Sequence, residues 1–497
     1  MGLIHPIDGA IVGVYLLATM VVGLMVRRHV SKVEHFLLAG REMDVALGVA
    51  SLAATEFGIV TCVYTAQNGF KYGFAGATPG ILNAAAMLVV GLTGFCITPL
   101  REAGVVTLPE LFERRFGPRV RAASAVVMVL GGLLNMGVFL RTGGEFLLAV
   151  SGVAGSPGSG GWLQAHTLEL TMTVLLLLVG VYTVLGGMLS VLVTDFLQFV
   201  VMSAGLLVVT ALVLLRVGWA NLVAAVERHL GAGGFNPLAN PVLGWPYVLF
   251  NACLNMAVVL TWMAVIQRVL AAKDARTGRQ VYVRTSFFFV ARFLIPGIWG
   301  IAALALFGPK TDSLRAMPQF LAGFVPVGIM GLLLAAMLAA DMSTDSSYML
   351  TWASLIYNDL LARFRRRAWS DREGLRVNRL IVAAIGVFLL VYGLWYPLKG
   401  DLWTYLGVTG TIYLASMSTL LVACCYWRRA SPTGAAAAIV TGATIPVAYL
   451  VLEQLPATSA FARDAVGPYW SGLAAYLGSA LAMIVGSWIR PARREER

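Results

Sequence analysis

The stretch DMSTDSS, Asp341 to Ser347, sets two carboxylates and four hydroxyls inside an apolar segment, with GIMGLLLAAMLAA before it and YMLTWASLIY after it. At about 100° per residue, Ala340, Ser343, Thr344 and Ser347 share one face of a helix, with Ser346 on its flank. A stripe of hydroxyl oxygens suits a hard cation such as Na⁺, by the oxygen preference that governs Ca²⁺ and Mg²⁺. The same hydroxyls could instead bond back to their own helix or hold neighbouring helices together. Asp341 and Asp345 lie off that face, about 40° apart. They are expected to face a water-filled path or to pair with a basic side chain.

Three further apolar segments carry polar residues of this kind. SLAATEFGIVTCVYTAQNGFKYGFAG contains Thr55, Glu56 and Gly58, then Gln67 and Asn68. A carboxylate and a glycine at mid-depth mark a helix that could break, freeing carbonyls for a cation and helix ends for a solute. A continuous helix with Glu56 paired to a neighbour is the alternative. FLRTGGEFLL places Arg141 and Glu145 four residues apart, close enough to pair with each other. Arg141 could otherwise hold a solute carboxylate or close onto Glu56. Asp195, in GGMLSVLVTDFLQFVV, is a lone carboxylate on an apolar helix, either a cation-site candidate or a helix-terminal cap.

These residues need a membrane to make sense. Of 497 residues 59% are hydrophobic and 12% charged, against about 25% charged in an average soluble chain. The apolar blocks reach the roughly 18 residues that flag a span. The sequence reads as an all-α integral membrane protein of about thirteen transmembrane helices. The first, at 7–26, is expected to be retained, because it has neither a basic leader before it nor a small-residue cleavage site after it. The five cysteines sit in or beside apolar segments and fit buried thiols rather than a disulfide or zinc framework.

The net charge of +12 does not indicate nucleic acid, since the basic residues fall in alternate loops. Arg27, Arg28 and Lys32 lie in the first loop, and Arg101, Arg114, Arg115, Arg119 and Arg121 in the third. Lys273, Arg276 and Arg279 follow the seventh span. Arg363, Arg365, Arg366, Arg367, Arg372 and Arg376 follow the ninth, then come Arg428 and Arg429, and the tail has four more arginines from Arg490 on. Positive loops stay cytoplasmic, which puts the N-terminus outside and the C-terminus inside the plasma membrane (in a bacterium, the inner membrane). TLPELFERRFG reads as a short cytoplasmic helix capped by Thr107, and GWANLVAAVERHL as an amphipathic helix at the outer surface.

Several stretches together resemble the sodium/solute symporter family, which includes bacterial proline, galactose and sialic acid transporters. They are FLLAGREMDVALGVASLAAT, VTLPELFERRFGPRVR, YTVLGGMLSVLVTDFLQ, IQRVLAAKDARTGR, AAMLAADMSTDSSYMLTWASLIYNDL and YWRRASPTGAAAAIVTG. The resemblance implies a LeuT-type core of two inverted five-helix repeats, here roughly 45–215 and 243–426. One extra N-terminal span (7–26) and two C-terminal spans (433–489) would flank them, all in one transporter domain. It also implies a principal Na⁺ site made by the carbonyls of Ala54, Phe57 and Ala340 and the hydroxyls of Ser343 and Thr344. Asp195, Ser346 and Ser347 match the second Na⁺ site of some members. Glu56 stands where the family usually has a neutral amide, another polar residue or Asp. Trp262 and Met263 replace an Asn-Gln type pair of sugar-transporting members, which weakens a sugar reading.

The expected activity is import of a small organic solute, coupled to Na⁺ and without another cofactor, by alternating access in a monomer. Glu56, Gln67, Asn68, Arg141 and Trp262 are the candidate solute contacts, and Arg141 favours an amino acid or a carboxylate. Proton coupling through Glu56 or Asp195 is the alternative within this class. A solute sensor would usually carry an added signalling domain, which the short tail PARREER disfavours. A membrane-embedded enzyme lacks support, because no H-E-x-x-H or G-x-S-x-G constellation is present.

Overall fold

A computed structural model describes residues 5–26, 33–152, 166–362, 369–397 and 400–491. Several of the basic residues used for topology lie outside these: Arg27, Arg28, Lys32, Arg363, Arg365, Arg366, Arg367, Arg493, Arg494 and Arg497. So do 153–165, most of the positive-poor loop after the fourth span.

Fifteen helices carry the architecture. They are α1 (Pro6–Val26), α2 (Val45–Thr55), α3 (Ile59–Tyr72), α4 (Thr78–Thr93), α5 (Pro118–Met136), α6 (Phe139–Ser151), α7 (Thr167–Arg216), α8 (Gly244–Thr261), α9 (Met263–Ala271), α10 (Ala275–Phe307), α11 (Ile329–Leu355), α12 (Asp371–Trp395), α13 (Leu402–Tyr426), α14 (Pro432–Gln454) and α15 (Pro468–Ile489). Eleven helical stretches among the described residues are long and apolar enough to cross a membrane. Such a helical solution is required wherever lipid offers no partner for backbone N–H and C=O groups. The longest of these, 59–93 and the 50-residue α7, run to 35 and 50 residues, against the roughly 20 that one crossing needs. Gly187 (φ 56°, ψ −156°) interrupts α7. Only glycine serves there: the φ is left-handed, and a Cβ would come within 2.4 Å of the Phe36 ring. Outside the membrane helices, Leu108–Phe116 is capped by the Thr107 hydroxyl, and Trp219–Leu230 forms the expected amphipathic helix with Trp219 exposed.

The core is built by close contact. α10 packs along α3 and α4, α7 along α11 and α1, and α13 against α5, α8 and α14. The α3–α10 seam is set by small residues. A Cβ on Gly69 would lie 2.2 Å from the Gly297 carbonyl oxygen, and one on Gly300 1.9 Å from that of Ala66. Glycine is what lets these backbones meet, the usual device between membrane helices. That seam carries Arg292 of α10 to the side of α3.

Two helix breaks face the centre. α2 ends at Glu56 (φ −84°, ψ 0°) and α3 starts after Gly58 (φ −92°, ψ 174°). α8 and α9 are separated at Trp262 alone (φ −65°, ψ 111°). α11 runs unbroken past the first of these and is buried along almost its whole length.

Candidate functional site

At the first break the helix leaves carbonyls without the usual partners. The Thr55 carbonyl is met from α11, where Thr344 Oγ1 donates to it at 2.8 Å. The contact needs Gly58, because a Cβ there would sit 2.9 Å from Thr344 Oγ1. From the residue before it, Ser343 Oγ donates to Asp195 Oδ1 of α7 at 2.5 Å. Each hydroxyl thus spends its only proton on an oxygen and keeps its lone pairs for another partner. Ala54, Phe57, Ala340, Ser343 and Thr344 are all buried at this junction of α2, α3 and α11. A set of neutral oxygens around a helix break suits a monovalent hard cation.

Asp195, Ser346 and Ser347 are arranged differently. Ser346 Oγ donates to the Ser343 carbonyl of its own helix at 3.1 Å. Ser347 Oγ contacts Thr55 Oγ1 at 2.9 Å and accepts from Arg268 Nη2 at 2.6 Å. Arg268 and Asp195 are both 0% exposed, with Nη2 3.4 Å from Asp195 Oδ2. Ser51 Oγ donates to the same Oδ2 at 2.6 Å. A guanidinium therefore lies among these residues.

Beside the junction is a cavity of about 80 Å³. Glu56 and Arg292 form an ion pair on its wall, Nη1 to Oε2 at 3.1 Å. Arg292 Nη2 also donates to Tyr64 Oη at 2.7 Å. Tyr348 Oη donates to Glu56 Oε1 at 3.4 Å and accepts from Trp262 Nε1 at 2.8 Å. Asn83, Asn135 and Asn255 also line it, with Trp403 and Phe293 packed against Tyr64. A buried charge is stable only when paired and hydrogen-bonded; this network pairs both charges and leaves Arg292 Nε without a partner among the described residues. One cation, one anion, amides and aromatic faces make a site for a small polar or zwitterionic molecule.

Of the five solute contacts expected from sequence, Glu56 and Trp262 line this cavity and three do not. Gln67 accepts from Leu402 N–H at 3.0 Å and donates to Ser313 Oγ and the Gly400 carbonyl. It ties α3 to the start of α13, beside the Lys71–Asp401 ion pair at 2.8 Å. Asn68 is buried, with both amide atoms unpartnered among the described residues. Arg141 pairs with Glu145 at 2.7 Å, donates to the Gly393 carbonyl, and lines a separate pocket with Asp312 and Arg315. Its spacing to Glu145 had already offered that pairing. Arg292 and Arg268 are the residues the sequence reading passed over. Both are arginines inside apolar spans, so the rule that drew attention to Asp195 applied equally to them. Asp341 and Asp345 are buried within the protein, and among the described residues neither forms an ion pair with a base. Asp341 Oδ2 and Asp345 Oδ1 lack hydrogen-bond partners among the described residues. Asp341 faces Gly143 of α6, whose Cβ would stand 3.0 Å from Oδ2.

Comparison with known proteins agrees with this architecture. The chain is 26% identical over 494 residues to sodium/glucose cotransporter 4 of Danio rerio, covering 90% of this chain and 72% of the relative. It is 26% identical to the sodium/myo-inositol cotransporter of Canis lupus familiaris over 86% of this chain and 64% of the relative. Its fold matches a Na⁺-coupled sialic acid symporter, solved substrate-bound and outward-open, with a TM-score of 0.81 at 18% identity over 99% of both chains. The core is thus of the LeuT type. The family model of the sodium:solute symporters matches residues 36–442, most of the chain, and the protein belongs to that family.

Proposed function

We propose that this protein imports a small organic solute together with Na⁺ by alternating access. Its principal Na⁺ site would be the carbonyls of Ala54, Phe57 and Ala340 with the hydroxyls of Ser343 and Thr344. The observation that carries this reading is the bridge from Thr344 Oγ1 to the Thr55 carbonyl, which joins α11 to the break between α2 and α3. An ion at that junction would lock the two elements together and preorganise the adjoining cavity. Ion and solute then favour each other's binding, reciprocally. Dividing 59–93 and α7 into two crossings each gives thirteen spans. The basic loops support an outside N-terminus and a cytoplasmic C-terminus in the plasma membrane. On that topology the Lys71–Asp401 pair and Gln67 close the outer side of the cavity.

The Glu56–Arg292 pair supports a solute with a carboxylate for Arg292 and, in an amino acid, an ammonium for Glu56. This shifts the role first given to Arg141 onto Arg292. A polyol is the second reading, favoured by Asn83, Asn135 and Asn255 and by the sugar and inositol cotransporters among the relatives. The test is uptake by proteoliposomes of a panel of amino acids, carboxylates, hexoses and myo-inositol, with and without an inward Na⁺ gradient. Uptake of hexose or inositol alone would overturn the amino-acid reading.

A further inference from the structure

We infer that the second cation position near Asp195 is filled by the chain's own Arg268, so that one Na⁺ binds per protein and Asp195 positions its ligand Ser343. The inference rests on the Na⁺-coupled reading above. Three observations carry it. Arg268 Nη2 already holds the oxygens that a second ion would need: Ser347 Oγ at 2.6 Å, Thr55 Oγ1 at 2.6 Å, and Asp195 Oδ2 at 3.4 Å. The guanidinium is fully buried, and its other contacts, to Ser51 Oγ and the Ala264 carbonyl, fix it in place. An arginine keeps its charge under all physiological conditions. One carboxylate and one guanidinium are neutral together. An added Na⁺ there would lie beside a fixed positive charge, with Asp195 already matched to it.

The remaining oxygen of Asp195 does a different task. Oδ1 accepts the proton of Ser343 Oγ at 2.5 Å, which turns the hydroxyl lone pairs away from Asp195. A hydroxyl bonded to an ionised carboxylate is also a stronger electron donor to a cation than a free one. The same Asp195 is held by Ser51 of α2 and Arg268 of α9, so both broken helices report to one Na⁺ ligand. Asp195 is accordingly a positioning residue, acting through Ser343.

The test is equilibrium binding of ²²Na⁺ alone to the purified full-length protein in detergent, which needs no knowledge of the solute. The expected result is one ion per chain. A count of two overturns the inference while leaving sodium coupling intact. No saturable binding overturns the proposed coupling itself, and the inference with it. The double variant Ser346→Ala, Ser347→Ala is expected to keep one ion, with affinity within about threefold of the wild type; a fall in the count overturns the assignment. Asp195→Asn is expected to bind one ion at saturation, with a half-saturating Na⁺ concentration raised about tenfold. Unchanged affinity there overturns the positioning role. Because that variant leaves Arg268 without its counter-charge, Ser51→Ala gives the same reading without removing a charge. It is expected to show a smaller rise, of about threefold, with the count still one. An unchanged affinity in Ser51→Ala as well, or a lowered count, contradicts the proposal.

Discussion

Thr344→Val is the most informative single substitution, because valine keeps the branched shape at Cβ and removes only the hydroxyl. Two effects follow from the geometry. The Thr55 carbonyl loses its 2.8 Å donor at a buried helix break, a loss of about 1–3 kcal/mol in stability. On the proposed assignment the ion loses one of five oxygen ligands. Interactions of a hydroxyl with a full charge contribute about 1.5–3 kcal/mol, which corresponds to roughly 10- to 150-fold in Na⁺ affinity at 1.4 kcal/mol per decade. Thr344→Ser retains the oxygen and should stay within about threefold of the wild type. The assay is the Na⁺ concentration dependence of solute uptake in proteoliposomes, with thermal stability measured alongside. A half-saturating Na⁺ concentration for Thr344→Val equal to that of the wild type would refute the placement of the ion at this junction.

Other substitutions separate the remaining parts of the site. Glu56→Gln or Arg292→Met alone should lower the melting temperature, since each leaves a buried charge unpaired at a cost of about 3–5 kcal/mol; the double variant should recover most of the stability but not the uptake. Arg141→Ala should change the solute KM by less than about threefold, because Arg141 is engaged with Glu145 and Gly393 away from the central cavity; a tenfold rise would return it to the solute site. Gly300→Val should abolish folded protein in the membrane, a Cβ there meeting the Ala66 carbonyl at 1.9 Å. Gly297→Ala in the same helix should be tolerated, its nearest contact being 3.8 Å; detergent-extracted yield and monodispersity report both.

What could be read from the sequence depended on how local the signal was. The hydroxyl stripe of Ser343, Thr344 and Ser347 follows from helix periodicity alone, and the structure turns it toward the α2–α3 break. The break itself was visible as Glu56 and Gly58 within an apolar run. Partnership between distant helices was not visible. Arg292 lies 236 residues from Glu56, and the close approach at Gly69 and Gly300 brings their helices together. Arg268 was legible as part of a loop motif but not as a charge threaded between Asp195 and Ser347. Gln67 and Asn68 stand out in the sequence by polarity, yet polarity does not say which way a side chain faces, and Gln67 turns to the backbone at Gly400 and Leu402.

The most direct measurement of the central claim is the time course of solute uptake in proteoliposomes under an inward Na⁺ gradient, for the wild type and for Ser343→Ala with Thr344→Ala. The wild type should accumulate its solute transiently above equilibrium, because the gradient and an inward potential, about 2.3 kcal/mol per charge per 100 mV, drive the coupled step. The double variant, and the wild type with choline in place of Na⁺, should only equilibrate. Accumulation that persists in choline, or in the double variant, would contradict sodium coupling at the junction of α2, α3 and α11.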